Sequence, residues 1–247
     1  MFWQASRGAF PGPWIQPRKE RCARMQDADV YFIRHAVTEE NLRYTLIGRS
    51  NPPLHPLGQT QAAAAAAALR TIEFDAIYTS PLRRAHDTAV AIAEAQRTAP
   101  AVVDVPDLRE LDLGILDGMS SLAAYEQHRE LMDQALSMDA PDEFSLPEGE
   151  RRMDALQRFQ DALQTLAAVA SGPLCIVTHG GVLGLWLARL HDQPLARFRE
   201  WQPPHASITR ARMRSDGGAD VQKRGDMSHM PASLAADIAR ARDPRHR

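Results

Sequence analysis

Apolar and polar positions divide the chain into alternating short and long runs. Residues 29–33 (DVYFI) are β-branched and aromatic, the pattern of a buried strand. Residues 58–69 carry an alanine run and predict a helix, because alanine is the strongest helix former. Residues 74–78 (FDAIY) predict a second strand. Ser80-Pro81 reads as the start of a helix, with Ser80 as N-cap, Pro81 at the first helical position, and Leu82, Ala85, Ala89 and Ile92 as the apolar face. A third strand is predicted over 102–105. Met153, Leu156, Phe159, Leu163, Leu166 and Val169 step by three or four, so 151–170 predicts an amphipathic helix, stopped by Ser171-Gly172-Pro173. Residues 174–178 (LCIVT) form a fourth apolar run, and Gly180-Gly181 leads into a helix over 182–190. Two late strands, 206–213 and 219–223, flank a Ser-Asp-Gly-Gly turn.

Strands alternating with helices predict a mostly parallel sheet covered on both faces, a three-layer α/β/α sandwich. The expected domain spans 26–230, with 119–150 as a short cap insertion and 231–247 as a C-terminal tail holding a short helix. In such sheets function gathers at the carboxyl ends of the strands. The polar residues standing there are Arg34 and His35 after the first strand, and Thr79, Ser80 and then Arg84 after the second. Glu110 follows the third strand and a short link, and His179-Gly180 follows the fourth. Each has a plain alternative: a lone histidine at a strand end more often meets a neighbouring carbonyl than a substrate. An arginine in the first helical turn opposes the helix dipole, so Arg84 calls for an anionic partner. The joint placement of all five side chains on one rim separates this pattern from those alternatives.

Composition narrows the functional classes. A formal net charge of −2 gives no basic surface for nucleic acid or an acidic membrane. No stretch is long and apolar enough to span a bilayer. Cys22 and Cys175 give neither a disulfide framework nor zinc spacing, and Cys175 sits in an apolar run as a buried thiol. The nine histidines show no metal-ligand spacing; His55, His86, His128, His191 and His246 read as surface or capping residues. Residues 1–25 lack the apolar core of a secretory signal and read as a disordered arm, or as sequence ahead of a true start at Met25. A cytoplasmic location is expected, and a homodimer is compatible with the sequence.

The rim segments resemble a known family. FIRHAVTEEN resembles the Arg-His-Gly-Glu-Thr-x-x-Asn signature of the histidine phosphatase superfamily, whose fold is that of phosphoglycerate mutase. LIGRSNPPLHPLGQTQA, TSPLRRAHDTA, LRELDLGILDG and VTHGGVLGLWL are similar to its later segments, in the same order, over roughly 29–230. Ala36 and Val37 depart from the usual Gly-Glu, and His205 stands where many relatives have asparagine.

The resemblance implies a metal-independent, cofactor-free phosphatase acting on a small phosphorylated metabolite of sugar phosphate or α-ribazole phosphate type. It implies His35 as nucleophile, neutral, with its second nitrogen held by a backbone carbonyl. Arg34, Arg84, His179 and the Gly180 amide are expected to cradle the phosphoryl oxygens, with Asn41 and the backbone near Gly48 adding neutral donors. Glu110 is expected to give and take the proton. The alternatives are a phosphoglycerate mutase, a phosphoprotein phosphatase and a non-catalytic phosphate-binding module. A mutase must hold a doubly phosphorylated intermediate. The segment 119–150 carries Glu126, Glu130, Asp133, Asp139, Asp142, Glu143, Glu148 and Glu150 against one arginine, Arg129, so it is expected to repel that species. Tyr125, Leu131, Met132 and Met138 are expected either to cap the site or to pack as a plain helix on the body.

Overall fold

Side chains alternate between the two faces of a strand, and the central strand shows it. In the computed structural model, which describes residues 27–242, strand β1 (Ala28–Arg34) sends Val30 and Phe32 to one face of the sheet and Ile33 to the other. Strand β4 (Leu174–Thr178) does the same with Leu174 and Ile176 against Cys175 and Val177, and every one of its residues is buried. Burial pushes the Cys175 thiol pKa up, so it is an inert core residue. The expectations for 1–25, Cys22 and His246 lie outside the described residues.

Strands β2 (Ala76–Thr79), β3 (Ala101–Asp104), β5 (Ile208–Met213) and β6 (Ala219–Asp226) complete a six-stranded sheet of order β3-β2-β4-β1-β5-β6. The first four strands in that order pair in parallel, and β5 and β6 are antiparallel. The helices are α1 (Glu39–Leu42), α2 (Pro56–Leu69), α3 (Arg83–Ala95), α4 (Ser121–Gln127), α5 (Arg129–Leu136), α6 (Arg152–Val169), α7 (Gly180–Leu190), α8 (Phe198–Trp201) and α9 (Ala232–Arg242). Parallel crossovers are right-handed. The steps β1 to β2 to β3 move outward and place α2 and α3 on one face, where Ala66, Leu69, Ala85, Ala89 and Ile92 pack on Ile33, Ile77 and Val177. The return from β3 to β4 places α6 on the other face, where Phe159, Leu163 and the α7 residue Trp186 pack around Phe32. The chain therefore reverses direction beside β1 and β4, and a crevice forms at their carboxyl ends.

The helix after β2 differs from the sequence expectation. It begins at Arg83, with Leu82 as an N-cap that offers no side-chain bond, rather than at Pro81 after a Ser80 cap. Ser80 Oγ accepts from Leu82 N at 3.2 Å within the turn and meets His179 on its other side. A capping residue and a turn residue carry the same sequence signature, and the tertiary contact decides between them. At the far end, α9 is docked on the body: Leu234 and Ile238 are buried with Val37 and Leu42.

Candidate active site

His35 is the first residue beyond β1, and its amide donates to Thr178 O at 2.9 Å, extending the β1–β4 ladder. The ring is buried, and Nδ1 lies 2.8 Å from Ala36 O. A carbonyl only accepts, so Nδ1 carries the proton and Nε2 keeps its lone pair. Burial, and then the cations of Arg84 and Arg34, hold the His35 pKa well below the usual imidazole range, so the ring is neutral at neutral pH. The loop that follows is fixed by Ala36 N donating to Thr88 Oγ1 at 3.1 Å and Val37 N donating to Gln61 Oε1 at 3.0 Å. Ala36 is not among the described residues with positive φ, so alanine replaces glycine there without strain.

Arg34 donates through Nη1 to Pro203 O at 2.8 Å, and its Nε is buried without a partner. Arg84 is completely buried at the start of α3. Its Nη1 donates to Ser50 O at 2.7 Å and its Nη2 to Gly48 O at 2.9 Å, while Nε again has no partner. Desolvation by burial lowers both guanidinium pKa values to about 10, with Glu110 opposing the shift in each case. The loop that grips Arg84 is itself held by Asp117. Its Oδ1 accepts from Gly48 N at 2.9 Å, and its Oδ2 accepts from Arg49 N at 2.8 Å and Ser50 N at 2.7 Å. The Gly48 amide is thus committed to Asp117, which corrects the expectation of a phosphate donor there; Gly48 instead positions Arg84.

His179 follows β4 and is fully buried. Its Nε2 lies 2.7 Å from Ser80 Oγ, and its Nδ1 has no partner. A hydroxyl carries one proton and two lone pairs, so Ser80 Oγ can accept the Leu82 amide and still give its proton to Nε2; in that tautomer Nδ1 is the N–H donor. Burial, then Arg84, His35 and Arg34, hold this ring neutral as well. Arg34 Nε, Arg84 Nε and His179 Nδ1 are therefore three buried donors without acceptors, carried by residues that act electrostatically on His35 or lie against it. Leaving buried donors unmade costs about 1–3 kcal/mol each, a cost that an anion accepting all three would offset.

Glu110 sits at the N-terminus of α7. Gly181 N donates to its Oε2 at 2.8 Å, and Val182 N and Leu111 N donate to its Oε1 at 3.0 and 2.8 Å. The two glycines at this helix start leave room for the side chains of the site. A Cβ on Gly180 would lie 2.6 Å from the Arg34 guanidinium carbon, and a Cβ on Gly181 would lie 2.4 Å from Glu110 Oε1. The Gly180 amide is left as a first-turn donor, since the helical ladder opens with Leu183 N to His179 O. From α6, Arg158 grips the Glu110 segment by donating to the carbonyls of Asp107, Arg109 and Glu110, while Glu150 holds the guanidinium through both oxygens.

The structure thus gathers Arg34, His35, Arg84, Glu110, His179 and Gly180 at one end of the sheet. Asn41 lines the same cavity, with its Oδ1 engaged by Thr38 N in a capping box. Sequence reasoning gave no functional place to Ser80, Asp117 or Arg158, nor to His205, whose ring lies 5.2 Å from that of His35 with Nε2 buried and unpartnered. Of the other histidines, His55 caps α2, and His86 pairs with Asp104 on the surface. Among the described residues no group of three His, Cys, Asp or Glu side chains is placed to hold a metal ion, and no helix is long and apolar enough to cross a membrane.

Above the rim stands a cavity of about 420 Å³ whose floor includes Arg34, His35 and Glu110. Its roof comes from α4, α5 and the loops around them. Here Leu116, Ala124, Met132, Ala135 and Leu146 form a cluster separate from the sheet core. Tyr125 and Met132 line the cavity, Leu131 packs within the cap cluster, and Met138 is exposed. None of the cap acids lines the cavity. Glu126, Glu130, Asp133, Asp139, Glu143 and Glu148 are exposed, Asp142 pairs with Arg189, and Glu150 pairs with Arg158. The expected electrostatic repulsion by the cap is therefore corrected: the charge is there, but it faces away from the site.

The profile of the histidine phosphatase superfamily (branch 1) matches residues 30–226. A protein of Proteus mirabilis (strain HI4320) named Probable phosphoglycerate mutase GpmB is 32% identical over 217 residues, covering 85% of this chain and 99% of that protein. Among solved structures, Bacillus stearothermophilus YhfR is 30% identical with a TM-score of 0.71, covering 83% of this chain and 100% of its own. The mycobacterial glucosyl-3-phosphoglycerate phosphatase in complex with VO3 is 26% identical with a TM-score of 0.70, covering 80% of this chain and 98% of its own. The order of the rim segments, the α/β fold and these matches agree: this chain belongs to the histidine phosphatase superfamily.

Proposed function

We propose that the protein hydrolyses a phosphate monoester through a phosphohistidine on His35, without a metal. The observation that carries this reading is the neutral, Nδ1-anchored ring of His35 set among three unpaired buried donors. A neutral nucleophile approaches a phosphate dianion without charge repulsion. In the first step the His35 Nε2 lone pair forms a bond to phosphorus while the phosphorus–oxygen bond to the alcohol breaks. Glu110, on the cavity floor beside His35, gives a proton to the departing oxygen. In the second step water attacks the same phosphorus, Glu110 takes the water proton, and the phosphorus–nitrogen bond breaks to restore His35. Arg34, Arg84, the His179 Nδ1–H and the Gly180 amide meet the charge that spreads over the phosphoryl oxygens.

The relatives named as probable phosphoglycerate mutases favour a second reading, in which the phosphoryl group returns to the product. That reaction requires cations for a second phosphate. Beyond the rim, the cavity lining offers Arg199, whose Nη1 donates to Ala135 O at 2.9 Å and which lies over the Phe198 ring. This lining favours water as the acceptor. The test is to incubate the protein with 3-phosphoglycerate and a trace of 2,3-bisphosphoglycerate, and separately with a panel of phosphate monoesters, all with EDTA present. Phosphate release from an ester with little 2-phosphoglycerate is expected. Rapid 2-phosphoglycerate formation with little free phosphate would replace hydrolysis by the mutase reaction.

A further inference from the structure

The cavity walls carry information about the alcohol half of the ester, which the rim residues do not. About 420 Å³ is the volume of some fourteen water molecules at about 30 Å³ each, several times what a phosphoryl group fills. The space above Arg34, His35 and Glu110 is walled by Leu46, Leu113, Leu116, Met132, Leu136 and Phe198. Three of the polar side chains among these walls are engaged within the protein, and Thr45, Gln202 and the Asn41 amide nitrogen are the others that line the cavity. Ser121 Oγ donates to Tyr44 O at 2.6 Å, Tyr125 OH bonds Asp133, and Arg199 donates to Ala135 O. A sugar or glycerate placed here would exchange hydration of its hydroxyl or carboxylate groups for contact with aliphatic side chains, which is unfavourable without replacement hydrogen bonds. An apolar chain or ring would instead leave water for a matching surface.

We infer that the preferred substrates are phosphate monoesters of apolar alcohols, with the phosphoryl group on the rim and an aliphatic or aromatic body under the α4–α5 cap. This rests on the phosphatase reading and narrows it. The occupant is fixed by covalent geometry: whatever fills the cavity is bonded to the phosphoryl group at its floor. Sugar phosphates therefore rank below apolar esters of equal size.

A series of n-alkyl phosphates isolates this effect, because the leaving oxygen has nearly constant chemistry from ethyl upward while the body grows. kcat/KM is expected to rise about fourfold per added methylene until the cavity is filled. Propyl phosphate is expected to exceed glycerol 3-phosphate, which has the same carbon count and two added hydroxyls. Leu136→Glu, at a partly exposed position on the wall, should flatten the rise with chain length; Met132→Glu is a second probe of the same wall. The readout is the ratio of hexyl to ethyl kcat/KM within each folded variant. A flat or falling series with phosphate still released would overturn the inference and leave the phosphatase reading standing. No phosphate from any ester, with conversion of 3-phosphoglycerate to its isomer, would overturn the phosphatase reading itself.

Discussion

Asp117→Asn is the most informative perturbation outside the rim, because Asp117 is not among the residues that line the cavity. Its carboxylate accepts three amides of the 48–50 loop, and two carbonyls of that loop grip Arg84. Asparagine can keep its single oxygen on Arg49 N and Ser50 N. Its NH2 group then faces the Gly48 amide, donor against donor, and the remaining bonds lose charge assistance. Hydrogen bonds to charged groups are worth about 1.5–3 kcal/mol each. These three are only part-buried, so a net loss of about 2–3 kcal/mol is expected. For a domain of this size that corresponds to a fall in Tm of about 5–10 °C. The activity should fall further than the folded fraction. Arg84 loses its fixed anchor points, and a misplacement of about 1 Å at a reacting centre costs on the order of a hundredfold. Calorimetry gives the first number, and kcat/KM on the best ester, measured well below Tm, gives the second. Weaker inhibition by vanadate should accompany the activity loss. A variant with wild-type Tm and wild-type kcat/KM would refute the claim that Asp117 positions Arg84.

Two further outcomes follow from the same geometry. Glu110→Gln should slow hydrolysis of an alkyl phosphate far more than its first step on p-nitrophenyl phosphate, whose leaving oxygen needs little protonation; equal slowing of both first steps would remove Glu110 from the acid role. Acid should destabilise the fold below about pH 6.5, because His35 and His179 are held neutral in the folded chain but take protons when it unfolds. The unfolded state then binds more protons, so stability rises with pH up to the unfolded histidine pKa and is lost as pH falls below it. The slope is at most about 1.4 kcal/mol per pH unit for each of the two residues. Thermal scans between pH 7.5 and 5.5 read it directly, and a flat Tm would contradict neutral burial of these rings.

The rim was legible in the sequence because it is local. Arg34-His35 and His179-Gly180 each follow a short apolar run by one residue, and that spacing alone places them at the carboxyl ends of β1 and β4. The resemblance supplied the roles that position could not. What stayed hidden depends on contacts across long stretches of chain. Ser80 looked like a cap until His179, 99 positions later, took its hydroxyl. Asp117 and the Gly48 amide it holds are 69 positions apart, and nothing in GILDG marks the aspartate as a loop anchor. The cap misled for a different reason. Its acids are countable in the sequence, but α4 and α5 span only seven and eight residues, too few for a periodicity that would reveal which side faces the cavity. The structure buries Met132 against the cavity, sets the half-exposed Leu136 on its wall, and leaves Glu126 and Glu130 exposed.

The central claim is that phosphate passes through His35 on its way to water. The direct test is rapid quench at alkaline pH, where phosphohistidine survives, followed by peptide mapping. The Glu110→Gln variant suits this experiment: with p-nitrophenyl phosphate the first step needs little acid, while the second step lacks its base, so the phosphoenzyme should accumulate. The account predicts a burst of p-nitrophenol approaching one equivalent, phosphate mapped to His35, and neither burst nor label when His35→Ala is added. Phosphate found on another residue, or turnover that persists in His35→Ala within a thousandfold of the parent, would contradict it.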